Sequence, residues 1–172
     1  MYEALLKNTP EYQKIAASLA SPGPAALFGL PPTGRALLYA ALQKDTGRIL
    51  CVVTPGEAEA TRFAADLNTL GIPAAVFPAR DYVLRPIEGT AREYEYRRLA
   101  VLGELVGGRL RAVAVPAEAL TQFTTPKEDF CANTRTLHAG DTLLRDDLLA
   151  ALFGAGYTRR AQVDGPGQVS VR

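Results

Sequence analysis

The chain has 172 residues, 48% of them apolar and 22% charged, with a formal net charge of +1. A chain of that length can bury one good core, or one core plus a small satellite. The near-neutral charge argues against a dedicated nucleic-acid-coating domain. Two widely spaced cysteines, Cys51 and Cys131, argue against a disulfide framework or a zinc site. Met1–Pro10 has no signal-type apolar core and no apolar run approaches membrane length, so a soluble chain in a reducing cytoplasm is expected.

The spacing of Tyr12, Ile15, Ala16 and Leu19 predicts a helix over Pro10–Ala20, ended by Ser21-Pro22-Gly23-Pro24. Ala25–Gly29 is too short for a helix and suits a buried strand, and Gly34–Lys44 carries the apolar face of a helix closed by Gly47. Ile49–Thr54 is a continuous β-rich run of the kind buried on both faces of a parallel sheet, which makes Cys51 a core residue. A helix over Glu57–Leu70 follows, with acidic residues in its first turn, where the helix dipole favours them. Ala74–Phe77 is the next strand, Pro78–Gly89 an irregular loop, and Ala91–Val106 a helix that Thr90 can cap. Leu110–Val115 is a fourth strand and Pro116–Gln122 a short helix. Strands alternating with helices predict a doubly wound α/β domain with a parallel sheet.

The pattern changes after Phe123. Thr124–Asn133 reads as a polar linker, Thr134–His138 as a strand, and Leu143–Phe153 as a helix capped by Asp141 or Thr142. Tyr157–Val163 and Gln168–Arg172 read as two strands around the turn signal Asp164-Gly165-Pro166-Gly167. The expected division is therefore an α/β domain over 1–123 and a small α+β domain over 124–172, near the size where independent stability is doubtful. Because the second strand runs to the last residue, the chain reads as the N-terminal piece of a longer protein.

The chemistry concentrates at Gly29–Ala36. Gly29 and Gly34 are four residues apart and followed by Arg35 and Ala36, which is the G-x-x-x-x-G-K-[ST] spacing of a phosphate-binding loop with its last two positions altered. A working loop needs the lysine for the terminal phosphates, the hydroxyl for magnesium, and backbone amides to cradle the anion. Arg35 and Ala36 replace the first two, and Pro31 and Pro32 remove two amide donors. A relic turn joining strand to helix is the expected role, with no catalytic residue, metal or cofactor. Basic and aromatic residues interleave at Arg80, Tyr82, Arg85, Arg92, Tyr94, Tyr96, Arg97 and Arg98, as in single-strand binders, but Asp81, Glu88, Glu93 and Glu95 nearly cancel the charge. His138, the only histidine, has no metal-binding neighbours in sequence, and Asp146-Asp147 fit a helix start.

The runs ALFGLPPTGRALLYAAL, ILCVVTPGEAEATRFAADL, VFPARD, YRRLAVLGEL and VAVPAEAL, in this order, resemble the N-terminal part of the bacterial transcription-repair coupling factors (Mfd). That region is itself similar to the damage-recognition helicase UvrB, whose equivalent loop is intact. The tail HAGDTLLRDDLLAALFGAGYTRRAQVDGPGQVSVR resembles the start of the next domain in both. The resemblance implies a P-loop NTPase-like, RecA/helicase-type domain followed by a small UvrA-binding domain. In that family an ATP-driven DNA translocase displaces stalled RNA polymerase and recruits UvrA. The motor and polymerase-binding parts would lie downstream, and a C-terminal domain of the same polypeptide would mask the UvrA-binding surface. Carried over by residue, the UvrB-type docking hairpin places candidates at Arg159, Arg160 and Arg172, near Tyr157 and Val171, with Ser170 standing where UvrB-type sequences have arginine. On the residues alone these arginines read equally well as solvated strand positions. A divergent P-loop nucleotide-binding enzyme and a DNA-binding helicase fragment of UvrB type are the competing readings.

Overall fold

The computed structural model describes residues 2–21, 23–80 and 93–171. The chain separates into two compact units, Met1–Phe123 and Thr124–Arg172. The first is of α/β class: a three-stranded parallel sheet with helices packed on it.

Its strands are β1 (Leu50–Thr54), β2 (Ala74–Val76) and β3 (Ala112–Pro116), in the order β1-β3-β2. Register pairs Leu50 and Ala74 with Ala112, and Val52 and Val76 with Ala114. Helix α4 (Glu57–Thr69) turns Ala60, Ala64 and Leu67 onto the face of β3 that carries Ala112 and Ala114. These positions recur at helical spacing, and the small alanines let helix and sheet backbones approach closely. The Asn68 side chain then ties helix to strand: its Nδ2 donates to the Ala64 and Ala74 carbonyls, and its Oδ1 accepts from Ala74 N–H. On the other face α5 (Glu93–Val106) lays Val101 against Phe77, Val113 and Val115.

The central strand β3 is thus buried along its whole length, whereas β1 is not. Cys51 is exposed and Val53 is 52% exposed, so the expectation of a strand buried on both faces, with Cys51 in the core, fails. Cys51 and Val53 share the face of Val113 and Val115, and α5 covers that face over β3 but not over β1.

The strand expected at Ala25–Gly29 does not form either. These residues have no strand partner, and Phe28 is 88% exposed. The segment lies between Pro24 and Pro31 and contains no β-branched residue, so it has little intrinsic strand preference to offset the missing ladder.

Two N-terminal helices, α1 (Tyr2–Lys7) and α2 (Pro10–Ser18), complete the unit; α1 falls in a stretch for which the sequence predicts no element. Thr9 caps α2 by accepting from Tyr12 N–H. Tyr12 packs with Leu38, Ala41 and Leu42 of α3 (Pro32–Thr46), whose end is set by Gly47 in the left-handed region at φ 65°. At that end Asp45 accepts hydrogen bonds from Lys7 Nζ and the Tyr12 hydroxyl, which hold its carboxyl below the usual carboxylate range, Lys7 contributing most. A depressed folded-state pKa stabilises the fold above the unfolded value of about 4, and the benefit is lost as pH falls through the folded value. Thermal melts should therefore show a smaller loss of stability between about pH 5 and pH 3 for Asp45→Asn than for the parent chain. Equal losses would disconnect Asp45 from acid unfolding.

The second unit contains α7 (Lys127–Ala132), α8 (Arg145–Gly154), β4 (Thr158–Arg159) and β5 (Gln168–Val169), after the single-turn α6 (Ala117–Leu120) that ends the first. Residues 127–132 are thus helical rather than linker, and 134–138 form no strand. Helix α8 begins after Leu144 without a side-chain cap. Asp141 instead accepts from His138 N–H at 2.7 Å, and Thr142 does not cap. The two strands pair in parallel, Thr158 with Gln168 and Arg159 with Val169, so they are not the two arms of a hairpin. The connecting residues carry the chain back to the start of β4 before β5 begins. Gln168 Oε1 accepting from Asp164 N–H and the Ser170 hydroxyl donating to the Ala161 carbonyl brace that loop.

Candidate functional site

The Gly29–Ala36 segment is not a loop wrapped around an anion. Gly29 sits at φ 81°, a left-handed conformation that glycine adopts without strain. Two residues later Pro31 caps α3, with Pro32 at the first helical position, where a missing N–H costs nothing. The helix therefore starts inside the motif, two residues ahead of the expected Gly34. Its first intrahelical bond, Arg35 N–H to the Pro31 carbonyl, measures 3.0 Å. The exposed Arg35 side chain folds back, Nε donating to the Leu30 carbonyl at 3.3 Å. Gly34 packs beside the Pro31 ring, where an added Cβ would meet Pro31 Cδ at 3.3 Å. Ala36 is fully buried, so the position where a phosphate loop has its magnesium-binding hydroxyl faces protein.

In the second unit Arg159 and Arg160 are both exposed, and Arg160 N–H donates to the Val169 carbonyl at 2.9 Å. The strand pair therefore brings the two arginines beside Val169 and Ser170, next to Tyr157, which is 39% exposed. Arg172 lies outside the described residues. His138 is exposed, with Nδ1 3.8 Å from the Asp141 carboxylate. Among the described residues no group of three or more His, Cys, Asp or Glu could hold a metal ion, and no helix is long and apolar enough to cross a membrane.

Of the basic and aromatic residues between Arg80 and Arg98, the positions Tyr82, Arg85 and Arg92 lie outside the described residues. Arg80, Tyr94, Arg97 and Arg98 are engaged within the unit. Arg80 lies 3.9 Å from Glu95, and Arg97 lies 3.9 Å from Glu57 and above the Tyr94 ring. Arg98 is only 5% exposed. Its guanidinium lies 4.1 Å from the Phe77 ring centroid and donates to the Pro78 carbonyl at 2.8 Å and to Gln122 Oε1 at 3.1 Å. Burial, and secondarily the charge of Arg80, pulls its pKa down, though a guanidinium in a protein stays protonated. Counting Arg98 among surface cations misses this role. The signal is present in its phase, because Arg98 lies three, four and seven residues before Val101, Leu102 and Leu105, inside the apolar face of α5.

These observations define a chain of α/β class whose phosphate-loop spacing is taken up by a helix start and whose exposed arginines lie on a separate small unit. No family model matches the chain. It is similar to curated transcription-repair-coupling factors: 26% identical over 148 residues to that of Bacillus subtilis (strain 168), covering 85% of this chain. Those of Staphylococcus aureus strains USA300 and NCTC 8325 are 23% identical over 146 residues, 84% of the chain. The resemblance read from the sequence is therefore found in these relatives. The chain spans 13% of the length of the first and 12% of the others. A match of 148 residues is longer than the unit Met1–Phe123 and so runs into the second unit.

Proposed function

We propose that the chain is a non-catalytic, UvrB-like part of a transcription-repair coupling factor, and that its second unit recruits the excision-repair protein UvrA. The observation that carries this reading is the similarity to transcription-repair-coupling factors across both units. In this reading the three-stranded parallel sheet is part of a helicase-type P-loop fold that no longer handles nucleotide. The lost lysine and hydroxyl, and the helix start at Pro32, support that part of it. Polymerase displacement and DNA translocation would belong to other parts of the same polypeptide, working in the cytoplasm.

The UvrA contact would centre on Arg159 and Arg160, with Arg172 beyond them. Exposed arginine forks pair bidentately with carboxylates and are enriched among interface hot spots. In a binding assay on immobilised UvrA the chain should be retained, and Arg159→Ala should weaken it about tenfold, or ~1.4 kcal/mol. Arg160→Ala and Arg172→Ala are expected to weaken it less. Unchanged affinity in all three variants would remove the arginines from the interface. Failure of the parent chain to bind would remove the UvrA reading itself.

A further inference from the structure

The side chain of Gln122 reads the backbone of Arg80 with both ends of its amide. Oε1 accepts from Arg80 N–H at 2.7 Å, and Nε2 donates to the Arg80 carbonyl at 3.2 Å. Arg98 donates to the same Oε1 and to the Pro78 carbonyl, so one buried guanidinium orients the amide and grips the chain two residues before the point Gln122 holds. The partners come from distant stretches. Pro78 and Arg80 are where the chain leaves β2, Arg98 lies in α5, and Gln122 follows α6, its N–H on the Ala119 carbonyl. Gln122 is also the penultimate residue of the first unit; Phe123 after it is 98% exposed, and the second unit starts at Thr124.

We infer that this Arg98–Gln122–Arg80 knot is a conformational tie, fixing the point at which the chain leaves the first unit against the exit of β2. Displacing the Arg80 backbone breaks both bonds between the Gln122 amide and Arg80 at once, which leaves Gln122 with its own turn and the bond from Arg98. An event at the β2 exit is thereby coupled to the residues that lead into the second unit. Glutamine suits this use because it offers a donor and an acceptor on one planar group, which matches a peptide unit presenting both.

The test is amide exchange and ¹⁵N relaxation on the whole 172-residue chain carrying Gln122→Ala, with Gln122→Glu as a second variant. The glutamate keeps the acceptors for Arg98 and Arg80 N–H but cannot donate to the Arg80 carbonyl. In Gln122→Ala the Arg80 amide should exchange about tenfold faster, the effect of losing one to two hydrogen bonds. The order parameters of Phe123–Thr125 should also fall, towards the flexible range below about 0.6, while exchange in β3 is unchanged. Gln122→Glu should fall between the two, and it decides the matter if the alanine variant does not fold. Faster exchange at Arg80 with Phe123–Thr125 unmoved would overturn the coupling. A uniform acceleration that includes β3 would overturn it too, leaving Gln122 a contributor to global stability alone.

Discussion

Replacing Arg98 by alanine should destabilise the first unit by about 3 kcal/mol in urea unfolding, a large effect for one residue on a helix. The side chain is 5% exposed, donates from a charged group to the Pro78 carbonyl and to Gln122 Oε1, and covers the Phe77 ring. Hydrogen bonds from an ionised donor contribute roughly 1.5–3 kcal/mol, and a desolvated cation over a ring about 2. Against them stands the desolvation that lowers the Arg98 pKa, so the sum stays well under the gross figures. Removing the side chain also takes a charged donor from the carbonyl of Pro78, one of the most deeply buried residues in the unit. Two further variants separate the causes. Arg98→Met refills most of the volume without the donors, and a cost of about 2 kcal/mol would assign most of the effect to the lost bonds. Arg98→Lys keeps the charge but not the fork, and should fall between the parent and Arg98→Met. A neutral Arg98→Met would mean that the buried guanidinium gives the knot its geometry and adds no net stability.

Local chemistry in the sequence located the helices better than it located what surrounds them. Helix α4 is legible because Ala60, Ala64 and Leu67 recur at helical spacing and Glu57 and Glu59 sit in its first turn. Strand β1 is legible as a strand, but its exposure is not. An apolar run reads the same whether both faces are covered or, as at Cys51 and Val53, one is left open. Ala25–Gly29 fails for the complementary reason, since a strand exists only if another presents its ladder, and five residues cannot report that absence. The strand pair of the second unit shows a further limit. A Gly-Pro-Gly turn signal predicts reversal of the chain, but Gly167 N-terminal to Gln168 instead leads into a parallel partner. The candidate site is legible at the level of composition: the missing lysine, hydroxyl and amide donors of Gly29–Ala36 are plain in the letters. That helix α3 begins at Pro32 is geometric, although proline at the first helical position foreshadows it. The knot around Arg98 is the least legible, because Pro78, Arg80 and Gln122 reach it from separate stretches of chain.

Restoring the letters of the phosphate loop should therefore fail to restore its function. With Arg35→Lys and Ala36→Thr the motif regains its lysine and its hydroxyl, yet calorimetry with Mg-ATP should show no binding at micromolar nucleotide. The lysine would leave from the first turn of a helix that already starts at Pro32, and Pro31 and Pro32 would still present no amide to an anion. The threonine would add its hydroxyl and methyl to a position with no exposed surface, where overpacking costs about 2 kcal/mol. Melting should accordingly drop by roughly 4–8 °C for a chain of this length. The two measurements discriminate between two histories of the site. If the fold still held a phosphate-loop geometry and lacked only its side chains, the double variant would bind Mg-ATP and be stabilised by it. If the backbone itself has been rebuilt, as the helix start at Pro32 and the unpaired Ala25–Gly29 segment require, the variant loses stability and gains no ligand. Micromolar binding by the double variant would overturn the second history and return the Gly29–Ala36 turn to the status of a nucleotide site.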